Sequence, residues 1–293
     1  MHKQMKGLYF YFFTNRLLIM KKIFFPFLLL TAFSAARAQY YYKDLVSNAQ
    51  VVADMKAYKE NKIKKIVLKS FEDDGSESRG FFCEKKLNKN YTKADLYTRA
   101  DIAAASLFTS TFNGDGILLN TYDSSLLSVT QIEYTYDAKN LITSIKSIIR
   151  SKDEDFENVI KEEHFYEYEN GRPSKMIRVK NGRDTTDILL AHDDNGNVAI
   201  EKDTKNGTKY YYYYDAKNRL TDIVQENEYS KNAKPDYIFE YNNAGLITQM
   251  TALEEGSKSF FVWKYNYENG LRIRERCFTD ERKLMGSIEY QYK

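Results

Sequence analysis

The sequence is poor in the residues that mark disulfide scaffolds, rigid loops and metal centres. Its 293 residues include two cysteines, three prolines and three histidines. The cysteines have neither the spacing of a zinc site nor that of a redox C-x-x-C motif. No nucleophile elbow, phosphate-binding loop or His-Glu-x-x-His motif occurs. We therefore predict a protein that is not an enzyme and that holds no metal and no cofactor.

A surplus of positive charge is also missing from most of the chain. The formal net charge is +3, but residues 1–38 contain several lysines and arginines and no acidic residue. Without that segment the chain is mildly acidic. Because binding to nucleic acid needs a positive surplus, we predict no nucleic-acid partner.

Tyrosine is the abundant residue, with 25 copies, followed by 18 phenylalanines. Both favour strands, because their rings pack well on a half-buried pleated surface. Hydrophobic residues make up 43% of the chain and charged residues 29%, which is typical of folded globular proteins. The composition therefore predicts a mainly β fold.

The N-terminal residues have the three parts of a secretory signal peptide. Met20-Lys21-Lys22 is a basic start, Ile23–Phe33 is an apolar run, and Ala36-Arg37-Ala38 is a cleavage site that leaves Gln39 first. A membrane anchor is the alternative, but the run is shorter than the roughly 20 residues that span a bilayer. We expect residues 1–38 to be an upstream extension and a signal peptide, and the mature chain to have no transmembrane span. Export places it in the periplasm, at the outer-membrane surface or outside the cell.

A Tyr-x-Tyr-(Asp/Glu/Asn) motif recurs roughly every 25 residues through the second half of the chain. Aromatic residues two apart lie on one face of a strand, and the following Asx and Gly residues favour a tight hairpin turn. The predicted structural residues of the repeat are Tyr134, Tyr136, Asp137, Tyr166, Tyr168, Tyr212, Tyr214, Asp215, Tyr241, Gly245, Tyr265, Tyr267 and Gly270. Degenerate copies lie at Phe112–Ile117 and His192–Gly196, and a last copy lies at Tyr290–Tyr292.

The repeat predicts an antiparallel meander of tandem β-hairpins that forms a curved or twisted sheet with one apolar face. Curling of the sheet, the N-terminal segment or a partner must cover that face. In the strand Leu271–Cys277, alternation predicts that Arg272, Arg274 and Arg276 point away from the apolar face of the sheet. The region 126–293 is the predicted repeat domain.

Residues 39–125 form a predicted N-terminal segment with a short helix and hairpins. Ser47 and Gln50 have capping-box spacing, and Val51, Met55 and Tyr58 form one apolar stripe of the helix. We expect this helix to pack against the sheet and cap one end of it. Strand pairs are predicted for 63–71 with 80–86 and for 106–112 with 117–121.

The exposed aromatic residues are the best candidates for a binding surface. Alternation puts Tyr210, Tyr212 and Tyr214 on one face and Tyr211 and Tyr213 on the other, and the second pair is expected to be exposed. Trp263 is a further candidate if the motif face is uncovered. Exposed rings can stack on sugars or pack against another protein. The alternative is that these rings are cross-strand packing pairs.

His164 and His192 are the only histidines after residue 38. As a metal pair they would need carboxylate ligands close in space, so we expect surface or strand-face histidines and no metal. Cys83 and Cys277 can either pair in an oxidising compartment or remain buried thiols.

The complete string Tyr212–Leu220 (Tyr-x-Tyr-Asp-x-x-Asn-Arg-Leu), repeated without the Arg at Tyr134–Leu141, resembles the YD repeat of the RHS family. The resemblance covers Phe112 to Lys293. It implies a long spiralling sheet of hairpins, found in secreted and cell-surface proteins. Large members wrap this sheet around a toxin, and some repeats have been linked to carbohydrate binding. This chain has too few repeats for such a shell, and no toxin segment is expected after its last repeat.

The sequence leaves two functions open. The first is a non-catalytic, exported or cell-envelope scaffold that binds an envelope protein or a glycan. The second is a glycan hydrolase with paired carboxylates in a groove of the sheet. The number of copies in an assembly does not follow from the sequence.

Overall fold

The computed structural model describes residues 39–101, 103–153, 159–226, 235–253 and 259–293. The predicted signal peptide lies outside these residues. Within them, one helical segment precedes eighteen strands. The strands are β1 (Lys65–Glu72), β2 (Phe82–Leu87), β3 (Lys93–Ala100), β4 (Ala103–Phe112), β5 (Leu118–Ser124), β6 (Ser128–Tyr136), β7 (Ile142–Ser151), β8 (Val159–Glu169), β9 (Arg172–Lys180), β10 (Asp184–His192), β11 (Val198–Asp203), β12 (Lys209–Tyr214), β13 (Leu220–Glu226), β14 (Pro235–Tyr241), β15 (Ile247–Leu253), β16 (Phe260–Glu268), β17 (Leu271–Thr279) and β18 (Leu284–Tyr292).

The sheet closes into a barrel. Each strand pairs antiparallel with the next along the chain, and β1 also pairs with β18. This closing seam runs from Ile66 opposite Tyr292 to Glu72 opposite Gly286. The predicted mainly β antiparallel meander is confirmed. The predicted curved or twisted sheet is in fact a closed barrel, because the N-terminal strands β1–β5 complete the circle that the repeat strands begin.

Most of the tight turns of the repeat share one hydrogen-bond pattern. In the turn after β6, the Asp137 N–H donates to the Leu141 carbonyl at 2.9 Å. The Asp137 Oδ1 atom accepts from the N–H groups of Lys139 and Leu141 at 2.8 and 2.9 Å, as Asx side chains do in turns. Asn140 takes the left-handed conformation that such a loop requires, with φ 62°. The same backbone pattern begins at Asn113, Asp137, Asp193, Asp215 and Asn242, so the degenerate copies are confirmed as the same turn.

A β-bulge lies beside each of these turns, and also beside the shorter turn at Asn269–Gly270, and it changes which side chains face inward. After the turn at Asn269–Gly270, the bulge between Asn266 and Tyr267 places Arg272 opposite Tyr267. The Arg272 guanidinium lies 4.2 Å from the centre of the Tyr265 ring, on the inner face. The prediction that Arg272 points outward is therefore wrong, because the extra residue of a bulge resets the alternation.

The helical segment consists of a π-helix, Tyr41–Val46, followed by α1, Ser47–Glu60. Ser47 is not the N-cap, because helical structure already begins before it, and its Oγ donates to the Tyr42 carbonyl at 2.9 Å. The capping-box prediction is therefore wrong, whereas the predicted helix itself is confirmed.

This segment crosses the inside of the barrel between two parts of the wall. Its first residues, Tyr40 to Leu45, pack on an apolar cluster from β6 to β14. Met55 and Tyr58 belong to a second cluster with Leu87 and Phe112, beside the tight turns that follow β2 and β4. The predicted packing of the helix against the sheet is confirmed, with its C-terminal half at the tight-turn end.

Candidate functional site

A group of polar and charged side chains holds the start of the helical segment to the barrel wall. We call this group the helix latch. It consists of Tyr40, Asp44, Glu162, His164, Tyr166, Arg178, Glu201 and Tyr212.

Glu201 of β11 binds the N-terminus of the helical segment. Its carboxylate accepts the N–H groups of Tyr40 and Tyr41 at 3.0 and 2.9 Å, and the hydroxyl of Tyr212 at 2.9 Å. These N–H groups lack partners within a helix, and the positive end of the helix dipole favours a carboxylate there. Glu201 is 0% exposed. Burial raises its pKa to about 7, although the three donors oppose this shift.

His164 of β8 lies between two carboxylates. Its Nδ1 is 2.6 Å from Asp44 Oδ2 on the π-helix, and its Nε2 is 2.9 Å from Glu162 Oε1 on the wall. The hydroxyl of Tyr166 also donates to Asp44 Oδ2, at 2.7 Å. Burial lowers the pKa of His164, but the two carboxylates raise it more, to about 9. The hydrogen bond from His164 lowers the pKa of Glu162, so at neutral pH the latch contains an imidazolium between carboxylates.

Arg178 of β9 completes the latch from the neighbouring strand. Its Nη1 donates to the Tyr40 hydroxyl at 2.5 Å, and its Nη2 donates to Thr186 Oγ1 at 3.0 Å. The Tyr40 ring also meets the His164 ring edge to face, with centroids 5.0 Å apart. The helical segment is therefore held by main-chain, ionic and ring contacts at once.

The latch carboxylates and imidazole are occupied with the chain's own groups. Both oxygens of Glu201 accept protein hydrogen bonds, and both nitrogens of His164 have carboxylate partners. A hydrolase needs two carboxylates facing a bound substrate, whereas these face the helical segment. The arrangement fixes a structural element and leaves no atom of these two residues directed at a ligand.

A small cavity lies beside the other half of the helix. It measures about 80 Å³ and is lined by α1 and by inward residues of β2–β4, among them Lys85 and Phe108. Ligand pockets usually have volumes of about 300–1,000 Å³. Burial lowers the pKa of Lys85, and its Nζ lies 5.4 Å from the centre of the Tyr58 ring. This cavity is too small for a sugar or a cofactor.

The three predicted binding residues have different environments. Tyr213 is 52% exposed on the outer wall. Tyr211 also points outward, but it is half-buried and its hydroxyl donates to Glu226 Oε2 at 2.6 Å. Trp263 is only 5% exposed and lies on the inner face opposite Cys277. The condition for its use as a binding residue, an uncovered motif face, is therefore not met.

The remaining candidate residues fall at separate places. His164 is in the latch on β8, whereas His192 lies on β10, two strands from β8 in the sheet. Among the residues that the structure describes, no cluster of three His, Cys, Asp or Glu side chains could hold a metal ion. Cys83 and Cys277 are free and buried, which matches the reading of two buried thiols.

Sequence reasoning missed the latch. Plain alternation along β11 puts Glu201 and Asp203 on the side opposite Val198, which predicts that the two carboxylates face water. In the structure all three residues are buried, because the bulge beside the preceding turn shifts the register and resets the alternation. The partner of Glu201, 161 residues away at Tyr40, has no local signature.

In the described part of the chain, no helix combines the length and the apolar content needed to cross a membrane.

No known family model matches the chain, and no curated protein is significantly similar to it. Among solved structures, it is similar to a porin-like protein from Bacteroides uniformis, at 12% identity and a TM-score of 0.36, covering 79% of this chain and 98% of that one. It is also similar to the TcdB2-TccC3-TEV structure, at 11% identity and a TM-score of 0.32, covering 76% of this chain and 16% of that one. The Tc holotoxin pore of Photorhabdus luminescens matches at 10% identity and a TM-score of 0.29, over 80% and 17% of the two chains. These values support no assignment of family or function, and the resemblance to RHS repeats stays a prediction.

Proposed function

We propose that this protein is a non-catalytic binding scaffold, exported to the cell envelope or beyond, that presents the outer wall of a closed barrel to a protein or a glycan. The observation that carries the proposal is the occupation of the barrel interior. The helical segment packs on two apolar clusters of the inner wall, and Glu201 and His164 of the wall bind that segment. Binding of a partner is left to the outside of the barrel.

The outer wall supports this role because it is suited to contact with water. Cross-strand ion pairs run along it, such as Lys146 with Glu163 at 3.4 Å and Arg274 with Glu289. Charged side chains at the middle of strands are costly against lipid chains. A rigid, water-facing sheet surface with some exposed rings is a suitable platform for recognition.

One assay separates the scaffold from the alternative hydrolase. The purified protein is applied to a glycan array and, separately, incubated with soluble polysaccharides and with peptidoglycan while released reducing ends are measured. We expect binding without release of reducing ends. The control is Glu226→Gln, on the outer wall. If reducing ends are released by the wild-type chain and by this control, but not by the Glu162→Gln and Glu201→Gln variants, the scaffold proposal is wrong and the protein is a hydrolase.

Export is tested by measuring the molecular mass of the protein that is recovered from the periplasmic and extracellular fractions of an expressing bacterium. We expect a chain that begins at Gln39. A full-length chain found in the cytoplasmic fraction alone would contradict this part of the proposal.

A further inference from the structure

The outer wall of β4 and β5 lacks the charges that cover other parts of the wall. Inward residues such as Phe108 and Ser110 line the cavity beside α1, so their neighbours along the strand point outward. We call the outward residues of these two strands the neutral window. They are Leu107, Thr109, Thr111, Asn120, Tyr122 and Ser124.

Exposed rings extend the neutral window across β2 and β3. Tyr97 lies directly opposite Leu107 in the β3–β4 pair, and the rings of Tyr97 and Phe82 meet edge to face with centroids 5.9 Å apart. Tyr122 stands two strands from Tyr97 and two residues along from the residue level with it, Ser124, which gives a separation of about 12 Å at the usual strand spacing and rise. Phe82, Tyr97 and Tyr122 are 41%, 38% and 40% exposed. Three exposed rings therefore form a row across four neighbouring strands.

Two acidic side chains of β2 and β3 beside this row are neutralised by lysines. Asp95 pairs with Lys93 at 2.9 Å and accepts the Thr109 hydroxyl at 2.6 Å. Glu84 pairs with Lys86 at 2.8 Å and also with Lys65.

Charged side chains of both signs flank the window itself. Arg99 lies opposite Phe82, Glu133 lies opposite Asn120, and Lys152 Nζ donates to Ser124 Oγ at 2.8 Å. A ligand with charges of one sign would meet a like charge at one flank, whereas the hydroxyl groups of an uncharged ligand can bond with groups of either sign. The rings, hydroxyls and amide of the window are therefore complementary to an uncharged ligand rich in hydroxyl groups.

We propose that the neutral window, together with Tyr97 and Phe82, binds a neutral polysaccharide. The apolar faces of its sugar rings stack on Tyr97 and Tyr122, and its hydroxyls exchange hydrogen bonds with Thr111 and Asn120. A second copy of the chain fits this surface less well, because Thr, Ser and Asn side chains would be desolvated without matched partners. This inference rests on the proposed function and adds the surface and the ligand class.

The test is affinity electrophoresis of the full chain in gels that contain hydroxyethylcellulose, laminarin or galactomannan, with polygalacturonate as the charged counterpart. We expect retardation by at least one neutral polysaccharide. Tyr97→Ala and Tyr122→Ala should each weaken binding by about tenfold or more. Tyr213→Ala, which removes a more exposed tyrosine (52%) from β12, should leave binding unchanged. Circular dichroism spectra of all variants establish that the barrel is intact.

Each other outcome overturns a defined part of the proposal. If the folded Tyr97→Ala and Tyr122→Ala variants are both retarded as strongly as the wild-type chain, the glycan binds elsewhere. This surface is then not the binding site, although the proposed scaffold function is not contradicted. Retardation by polygalacturonate alone contradicts the neutral ligand. If no polysaccharide retards the chain but light scattering shows a dimer that Tyr122→Ala dissociates, the surface joins two copies instead. If no polysaccharide binds and no dimer forms, the surface has no such ligand, and the glycan array then decides the proposed function separately.

Discussion

The hydroxyl of the second motif tyrosine has a defined structural role. Tyr136 donates to the main-chain carbonyl of Leu118 at 2.6 Å, and Tyr241 donates to that of Leu220 at 2.6 Å. Each acceptor is the residue at which the register shifts beside the preceding turn. A bulge disrupts the local ladder of hydrogen bonds, and the tyrosine hydroxyl supplies a bond there. The same bond is made by Tyr136, Tyr168, Tyr214, Tyr241, Tyr267 and Tyr292.

Replacement of one such tyrosine by phenylalanine should therefore destabilise the barrel without changing its packing. For Tyr136→Phe or Tyr241→Phe we expect a loss of about 1 kcal/mol in the free energy of unfolding, because one hydrogen bond to a partly buried carbonyl is lost. Denaturant titration followed by tryptophan fluorescence measures the change. Tyr213→Phe is the matched control, since its ring lies exposed on the outer wall, and it should change the stability by less than about 0.5 kcal/mol. Equal stability of all three variants would show that the hydroxyls are dispensable.

Asp44 is the residue of the latch whose loss should cost most. Asp44→Ala removes the carboxylate that meets both His164 and Tyr166 and leaves a buried imidazolium with one remaining carboxylate partner. Breaking a buried ion pair in this way usually costs about 3–5 kcal/mol. We expect a drop of about 3 kcal/mol in the free energy of unfolding, measured by denaturant titration.

The control for this experiment is Glu60→Ala, at the end of α1, where the carboxylate pairs with Lys56 at 3.9 Å and both side chains are exposed. A similar small loss for both variants would mean that the latch does not stabilise the fold.

At the scale of elements, the attachment of the helical segment to the wall should depend on pH. The folded-state pKa of His164, about 9, and that of Glu201, about 7, lie above their ordinary values of 6.5 and 4.5. A raised pKa means that the folded state binds the proton more tightly, so its contribution to stability is lost as pH rises. The loss falls between pH 4.5 and 7 for Glu201 and between pH 6.5 and 9 for His164. Glu162, whose pKa is lowered, acts in the opposite direction, and its contribution is lost as pH falls below its ordinary value of 4.5.

We therefore expect the midpoint temperature of thermal unfolding to decrease as the pH is raised from 5 to 9. In Glu201→Gln, whose amide oxygen can still accept a hydrogen bond, the decrease between pH 5 and 7 should become smaller. The decrease between pH 7 and 9 should persist there and be reduced in His164→Gln. An unfolding midpoint that rises steadily over this range in the wild-type chain would contradict the assignment of these two groups.

The hairpins were predictable because their signals are local. Tyrosines two apart define a strand face, and Asp137 followed by Asn140 defines a turn, all within one short stretch of sequence. Bulges were not predicted, since one added residue leaves the composition of the motif unchanged. Arg272 was misplaced for this reason. The latch was not predictable in full, because Glu201 and the N–H groups that it binds are brought together only by the complete fold.

At the scale of the whole molecule, the barrel depends on the seam between its first and last strands. Whether a sheet closes depends jointly on strand number, tilt and stagger, and no short sequence pattern reports these quantities. In the structure, the Lys65 N–H donates to the Lys293 carbonyl at 2.9 Å, and the Lys293 N–H donates back to Lys65 at 2.8 Å. The chain therefore has no unpaired sheet edge at this seam.

A proline in the seam should open the barrel. Val67 lies opposite Gln291 on one side and Glu84 on the other, and proline in a central strand removes a ladder hydrogen bond. We expect Val67→Pro to expose two sheet edges and to promote aggregation, which size-exclusion chromatography and light scattering measure.

Ala216→Pro is the control, because it lies directly after Asp215 in a tight turn, where proline is favoured. It should remain monodisperse to the same degree as the wild-type chain. Equal behaviour of the two proline variants would show that the seam is not needed for the fold.

The tyrosine hydroxyls also give the molecule a direction. Each one donates to a carbonyl of the strand that precedes its own along the chain. The first such bond joins Tyr136 to Leu118, and the last joins Tyr292 to Arg272. A polypeptide that emerges N-terminus first therefore finds every acceptor already in place when the matching ring arrives. Growth of the wall can proceed vectorially, hairpin upon hairpin, and only the final pairing of β18 with β1 must wait for the last residues to appear.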